Sequence, residues 1–454
     1  LNGDKAGMRT ILKSTWASTS VIGSTSLRPL SLRLNFAWTL IGNVVYAACQ
    51  WGMTVVLAKI GSPEMVGQFA LGLAITAPII LFAGLALRPV QATDARRIYQ
   101  FGDYLGLRLV TTFFAVIVIA GIAWRGNYNG EARWTILFIG LAKGFEAISD
   151  IFYGLFQQHE RMDRIAKSMM IKGPLSLAAL TLAVMATHRV GAGAIALAIA
   201  WLVVLVLYDI QNGARILSGD RRIELIPKWH LPTLLKLTRL TFPLGLTMML
   251  ISLNTNIPRY FVEHYRGQRE LGFFAAIAYL IIAGTTLVNA LGQSASPRLA
   301  KYYASGSKRL FSYLLVRLIG VGLALGVAGI LVSLLMGREI LTLLYRPEYG
   351  QFSNVLVGVM VAATFGYVAS FLGYAMTAAR YFAIQPVIFG AVVLTNALFC
   401  SILIPSYGLP GAAWALGIAN GMQVLLSLTC VFIALHRLPK DGPRWEVTPY
   451  ELER

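Results

Sequence analysis

Charge is scarce in this chain of 454 residues. Asp, Glu, Lys and Arg make up 13% of it and apolar residues 57%, against about 25% and about 45 to 50% in soluble proteins. That balance excludes a soluble globular domain and indicates a polytopic membrane protein. Acidic groups are scarcer still, with 20 Asp and Glu against 39 Lys and Arg. Cysteine is limited to Cys49, Cys400 and Cys430, all inside apolar runs and without CxxC or Cys/His spacing, so neither a disulfide framework nor a metal site is expected. The histidines (His159, His188, His230, His264 and His436) fall in loops or at span ends. No DxD pair, GxxxxGK[ST] loop or GxSxG elbow is present, so no catalytic residue and no organic cofactor are expected. The connections are also short for a membrane glycan polymerase or ligase, which would need a long external loop to host its site.

What is present is a series of apolar windows of about 20 residues. They lie near 34–58, 66–87, 108–124, 134–157, 168–187, 190–213, 237–258, 271–294, 313–336, 352–378, 385–404 and 409–435, an all-α chain of about twelve spans. The Ser/Thr-rich start has no cleavable signal pattern, and the first run reads as an uncleaved helix. Lys and Arg cluster on the side that holds the N-terminus, in the tail and after every second span; few lie on the other side (Lys59, Arg125, Arg133, Arg189, Arg259, Arg266, Arg269, Arg338, Arg346). The positive-inside rule then places both termini in the cytoplasm. In this count Arg108 and Lys172 belong to basic connections. The basic loops read as contacts with anionic headgroups, not nucleic acid.

The organisation expected is a cytoplasmic segment over 1–33, a six-helix bundle over 34–213, a cytoplasmic linker over 214–236, a second six-helix bundle over 237–436 and a cytoplasmic tail over 437–454. The halves echo each other. GSPEMVGQFALGLA after the first span pairs Gly67, Phe69 and Ala70 with Gly272, Phe274 and Ala275 in GQRELGFFAAIA after the seventh. GAGAIALAIA and PGAAWALGIA match in the same span order, including Ala194 with Ala413 and Leu197 with Leu416. Such parallel repeats place a site between the halves.

The stretch Trp134–Gln158, WTILFIGLAKGFEAISDIFYGLFQQ, is long enough to span and yet holds Lys143, Glu146 and Asp150 at i, i+3 and i+7, one stripe of a helix that Gln157 extends. A central charge costs about 2.5 to 3.5 kcal/mol. Three on one stripe need partners, water or neutralisation, and an aqueous passage between helices supplies all of these. Two readings of Glu146 and Asp150 stand: internal ion pairs with Lys143, or proton or sodium coupling. Lys143 is expected to be the only Lys or Arg buried in mid-span. With it, Arg88, Arg259, Arg298 and Arg380 are the cations nearest membrane depth and would suit a phosphate or other anion; Arg88, Arg298 and Arg380 could instead snorkel to the interface. In the seventh span, TFPLGLTMMLISLNTNIPRY, Pro243 and Pro258 flank Asn254 and Asn256, which suggests either a broken helix whose carbonyls face a cavity or a kinked packing helix.

The runs FEAISDIFYGLFQQHERMDRIAKSMMIKGPLSL, NIPRYFVEHYRGQRELGFFAAIAYL, QSASPRLAKYYASG and IPSYGLPGAAWA resemble the bacterial polysaccharide (O-antigen or capsule type, Wzx-type) flippases of the multidrug/oligosaccharidyl-lipid/polysaccharide exporter superfamily. The resemblance covers essentially all twelve spans. It implies a MATE-like fold of two six-helix bundles around a central cavity, in the bacterial inner membrane. It further implies transfer of an undecaprenyl-diphosphate-linked oligosaccharide between leaflets, a cation-lined lumen that Lys143, Arg259 and Arg298 suit, and ion-driven antiport with H+ or Na+. A glycan polymerase and a chain-length regulator of the same pathway are the partners it implies. The alternatives are a multidrug or cation antiporter of the same fold, which would favour an acidic cavity, and a membrane glycan polymerase or ligase.

Overall fold

The computed structural model describes residues 30–94, 97–126, 128–218 and 225–437. The expected N-terminal segment up to residue 29, Arg96, residues 219–224 of the expected linker and the tail from 438 lie outside the described residues. Among the described residues there are helices and turns and no strand.

α1 (Leu32–Ile60) starts at one face of the bundle, here the near face, and ends at the opposite, far face. Ser62 caps α2 (Pro63–Gly84), which returns and is prolonged by the short α3 (Leu87–Thr93). α4 (Phe101–Arg125), α5 (Gly130–Gln158) and α6 (Met162–Thr187) follow. α7 (Val190–Val204) runs through a π-helical turn, Leu205–Ile210, into α8 (Gln211–Ser218). Beyond the connection come α9 (Leu231–Tyr279), α10 (Ile281–Ala304), α11 (Lys308–Leu344), α12 (Ser353–Ala378), α13 (Gln385–Tyr407) and α14 (Leu409–His436).

Among the described residues, ten helical stretches are long and apolar enough to cross a membrane. One of them, Leu231–Ala304, is 74 residues long and breaks at Gly267, whose φ of 81° suits glycine, so it supplies two crossings. α5, 29 residues long, is set apart from the ten by its charged stripe. With these, twelve crossings are reached, and the chain is a multi-pass membrane protein. Its outer surfaces are apolar: Leu331, Leu334 and Leu335 on α11 all stand exposed, as lipid contact requires.

Three boundaries differ from expectation in ways that matter below. α4 begins at Phe101 and not near 108, because the Asp103 carboxylate accepts from the Gln100 backbone N–H at 2.9 Å and satisfies an end of the helix. Arg108 is therefore inside a helix. α6 begins at Met162 and not near 168, so Lys172 lies well within a crossing. The helix of α9 also runs through both Pro243 and Pro258, and its break is at Gly267. A proline leaves the carbonyl four residues earlier without its helical donor. For Pro258 that is the Asn254 carbonyl, which accepts from Asn396 Nδ2 at 2.7 Å. For Pro78 in α2 it is the Ala74 carbonyl, to which the Tyr260 hydroxyl of α9 donates. Pro258 and Pro78 are thus points of attachment between helices.

Helix pairings recur with the same spacing along the chain. α1 packs on α6, α2 and α4 on α5, and α7 on both α5 and α6; correspondingly α9 packs on α13, α10 and α11 on α12, and α14 on both α12 and α13. Between the two sets the broadest contact is α2 against α9. At the far face it closes to a backbone seam. A Cβ on Gly67 would overlap the Gln268 carbonyl and stand 3.1 Å from the Gly272 nitrogen; a Cβ on Gly272 would overlap the Pro63 carbonyl and stand 3.1 Å from the Gly67 nitrogen. The glycines paired by the sequence echo therefore meet each other, each against the carbonyl four residues before the other. Gln68 donates to Gln268 across the seam at 2.9 Å, and outside it Arg269 spans Glu64 and Glu348 at 3.6 and 3.3 Å.

Candidate functional site

The stripe on α5 divides between two sets of partners. Lys143 Nζ lies 2.8 Å from Glu146 Oε2 and 5.0 Å from the centre of the Trp201 ring on α7. The Tyr46 hydroxyl of α1 donates to Glu146 Oε1 at 2.6 Å. Asp150 makes no pair with Lys143. Its Oδ1 faces Arg88 Nη1 of α3 and its Oδ2 faces Arg108 Nη2 of α4, each at 3.3 Å. Arg88 reaches this position because α2 turns at Leu85 and Ala86, both with positive φ, before α3 begins. Gly84 leaves the space that Arg108 fills: a Cβ there would stand 3.0 Å from Arg108 Nη1.

Arg88, Arg108, Glu146, Asp150 and Tyr153 line a cavity of about 440 Å³, closed on other sides by Asn43 of α1 and Met248 of α9. Its lining residues lie toward the near ends of their helices, opposite the glycine seam. A hollow lined by both signs of charge can receive a charged group that the hydrocarbon core would reject.

A second buried network lies behind this cavity, between α5, α6 and the π-helical turn. Lys172 Nζ accompanies Asp209 Oδ2 at 3.9 Å with side chains 2% and 0% exposed. Lys172 also donates to the Tyr153 hydroxyl at 3.0 Å, and Ser168 Oγ to Asp209 Oδ1 at 2.6 Å. Lys143, partly exposed, is therefore not the only mid-span cation; Lys172 is the more deeply buried. Lys172 and Asp209 each fall inside an expected span, 168–187 and 190–213, and that was the signal available. Opposite charges at matching depths in neighbouring spans are candidates for a pair. Arg108 gave a weaker signal, as the first residue of its expected span.

The remaining anion-site candidates do not join the cavity. Arg259 lies in a separate crevice of about 20 Å³ with Thr54, Phe69 and Tyr279, and donates to Asn256 at 3.0 Å. Arg298 is exposed on α10. Arg380 sits at a positive φ of 62° in the turn after α12, beside a surface depression with Tyr381 and Ile384. Of the seven residues proposed from sequence, Arg88, Glu146 and Asp150 share one cavity, Lys143 is tied to it through Glu146, and the other three are apart. Asn254 joins a packing cluster with Asn396 and Asn420 rather than the cavity.

Comparison with known proteins adds to this geometry. A family model described as polysaccharide biosynthesis protein matches residues 32–303. The capsular polysaccharide biosynthesis protein CapF of Staphylococcus aureus is 30% identical over 396 residues, 86% of this chain and 97% of that protein. Among solved structures, the inward-facing conformation of a multidrug resistance MATE family transporter of the MOP superfamily is similar with a TM-score of 0.72 and 12% identity, over 88% of this chain and 98% of that one. Lipid II flippase MurJ, in an inward closed conformation, is similar with a TM-score of 0.68 and 14% identity, over 89% of each chain. The fold is MATE-like.

Proposed function

The chain belongs to the polysaccharide biosynthesis protein family, and from that premise we propose that it is a flippase. It carries an undecaprenyl-diphosphate-linked oligosaccharide, an O-antigen or related repeat unit, from the cytoplasmic to the periplasmic leaflet of the inner membrane by ion-coupled alternating access. The observation that carries this reading is a bundle sealed at the far face by the Gly67–Gly272 seam and hollow toward the near face, with two arginines on the wall of the hollow. The near face, where α1 starts and α14 ends, is the cytoplasmic one in this reading. A diphosphate cannot cross hydrocarbon unpaired, since even one charged side chain at the bilayer centre costs about 3 kcal/mol; guanidinium groups on a water-filled wall remove that barrier. The names of CapF and of the lipid II flippase point the same way. Coupling falls to H+ or Na+ at Glu146 or Asp150, and a glycan polymerase and chain-length regulator act downstream on the delivered unit.

A multidrug or cation antiporter of this fold would favour an acidic cavity for its cationic cargo. Here the cavity wall carries Arg88 and Arg108 beside Glu146 and Asp150. The deciding experiment removes the gene and follows lipid-linked oligosaccharide, which should accumulate on the cytoplasmic face. Lys143→Ala should fail to restore surface polysaccharide at matched protein level, and Lys143→Arg should restore part. Deletion without such accumulation, and with normal surface polysaccharide, refutes the reading.

A further inference from the structure

Two arginines from different helices converge on one carboxylate, and their arrangement is loose. In the same molecule Arg161 grips Asp163 through two bonds of 2.8 and 2.9 Å. Arg88 and Arg108 each offer Asp150 a single contact of 3.3 Å, at the long end of the hydrogen-bond range. A guanidinium has five N–H donors; here two of them face one carboxylate and the Gln157 side chain, which accepts from Arg88 Nε at 3.3 Å. Arg108 Nε is buried with no partner. The cluster keeps one net positive charge, so a single carboxylate leaves it underneutralised.

The three groups differ in freedom. Arg108 is 3% exposed and fixed beside Gly84, whereas Asp150 is 34% exposed on the cavity wall. Arg88 is steadied over the Tyr153 ring, 5.6 Å from its centre. The member able to move aside is the carboxylate.

We propose that the Arg88–Arg108 pair is a binding site for a phosphate-type anion and that Asp150 is its resident stand-in, displaced when the anion arrives. This rests on the reading of the cavity as part of the substrate path. Carboxylate and phosphate both match the guanidinium fork, but a phosphate or diphosphate brings three or more acceptor oxygens and a second charge. It satisfies donors that Asp150 leaves idle and neutralises both arginines. The room is there, since the cavity of about 440 Å³ adjoins the cluster. The stand-in keeps two cations from facing an empty hollow between loads, and it sets a threshold: a singly charged, monodentate anion gains nothing by the exchange. Two sources carry this chemistry, the diphosphate of a lipid-linked saccharide and the headgroup of an anionic phospholipid.

The test is pyrophosphate binding to the full chain, purified in nanodiscs of phosphatidylcholine, by calorimetry. Asp150→Asn removes the competitor and should bind roughly tenfold tighter than wild type, the worth of about one charge-assisted contact. Arg88→Gln, on the cavity wall, should lose binding at least as far. A carboxylate that merely held the arginines in place would give the reverse, with Asp150→Asn weakening binding. That result overturns the proposal, as does absence of binding in both wild type and Asp150→Asn. Nanodiscs containing phosphatidylglycerol separate the sources: suppressed pyrophosphate binding there supports the site and assigns it to a headgroup, and unchanged binding supports it for the diphosphate. Translocation of lipid-linked saccharide in vesicles is followed separately. Translocation without pyrophosphate binding defeats only the stand-in proposal, and binding without translocation defeats only the flippase reading.

Discussion

Gly67→Ala and Gly272→Ala should each wedge open the far face. The added methyl overlaps a carbonyl of the opposing helix, Gln268 in one case and Pro63 in the other, and stands 3.1 Å from a backbone nitrogen. These are main-chain atoms near helix starts, with no rotamer to change, so the two helices must part by on the order of 1 Å to reach van der Waals distance. Overpacking of this kind costs about 1 to 3 kcal/mol. The cost falls only on the sealed state, because an open seam has room for the methyl. The ratio of sealed to open molecules should therefore drop roughly 5- to 150-fold. The Gln68–Gln268 bond of 2.9 Å and the Asn129–Gln268 bond of 3.3 Å go with the sealed state. The assay places a cysteine at Thr54, in the crevice with Arg259, after replacing Cys49, Cys400 and Cys430. Its labelling by a membrane-impermeant thiol reagent from the far side should quicken in both alanine variants and stay unchanged in Gly121→Ala, where no atom lies within 4 Å of the new Cβ. Labelling at the parent rate in both, with undiminished transport, would refute the seam as a gate.

Lys172→Met strands Asp209, whose side chain is 0% exposed, and losing one partner of a buried pair costs about 3 to 5 kcal/mol; membrane protein level should fall, and Lys172→Met with Asp209→Leu should recover it, whereas parental levels in the single variant would contradict the pairing. Asn396→Ala removes the donor to the carbonyl that Pro258 leaves bare, for about 1 to 3 kcal/mol. Its melting temperature should drop and recover in part with Pro258→Ala, which restores a backbone N–H; no recovery would separate the two. Arg269→Ala should change stability by less than about 1 kcal/mol, because its side chain is 62% exposed and its ion pairs are screened. A large loss in thermal unfolding would mean that the far-face contacts act as a network.

The amino-acid pattern by itself determined the class, the number of crossings and the repeat. Apolar windows set span lengths because the bilayer thickness is constant, and the echo of Gly67 in Gly272 survives because only glycine lets two backbones touch. It also determined that Lys143, Glu146 and Asp150 share a face, since that depends on one helix alone. Which groups answer that face was decided by tertiary structure. Asp150 takes Arg88 and Arg108 and ignores Lys143 because of the depth and rotation of α3 and α4, which no periodicity in α5 can report. Lys172 and Arg108 were counted with the basic loops because a polar helix start and a polar loop have the same composition; only the capped turn at Gln100 and the start of α6 at Met162 put them inside. Arg259, Arg298 and Arg380 looked equivalent to Arg88 by depth, yet depth gives one coordinate of three. Lipid solvates apolar faces as well as a neighbouring helix does, so hydropathy could not tell which side of each crossing turns inward, and packing of whole helices made that choice.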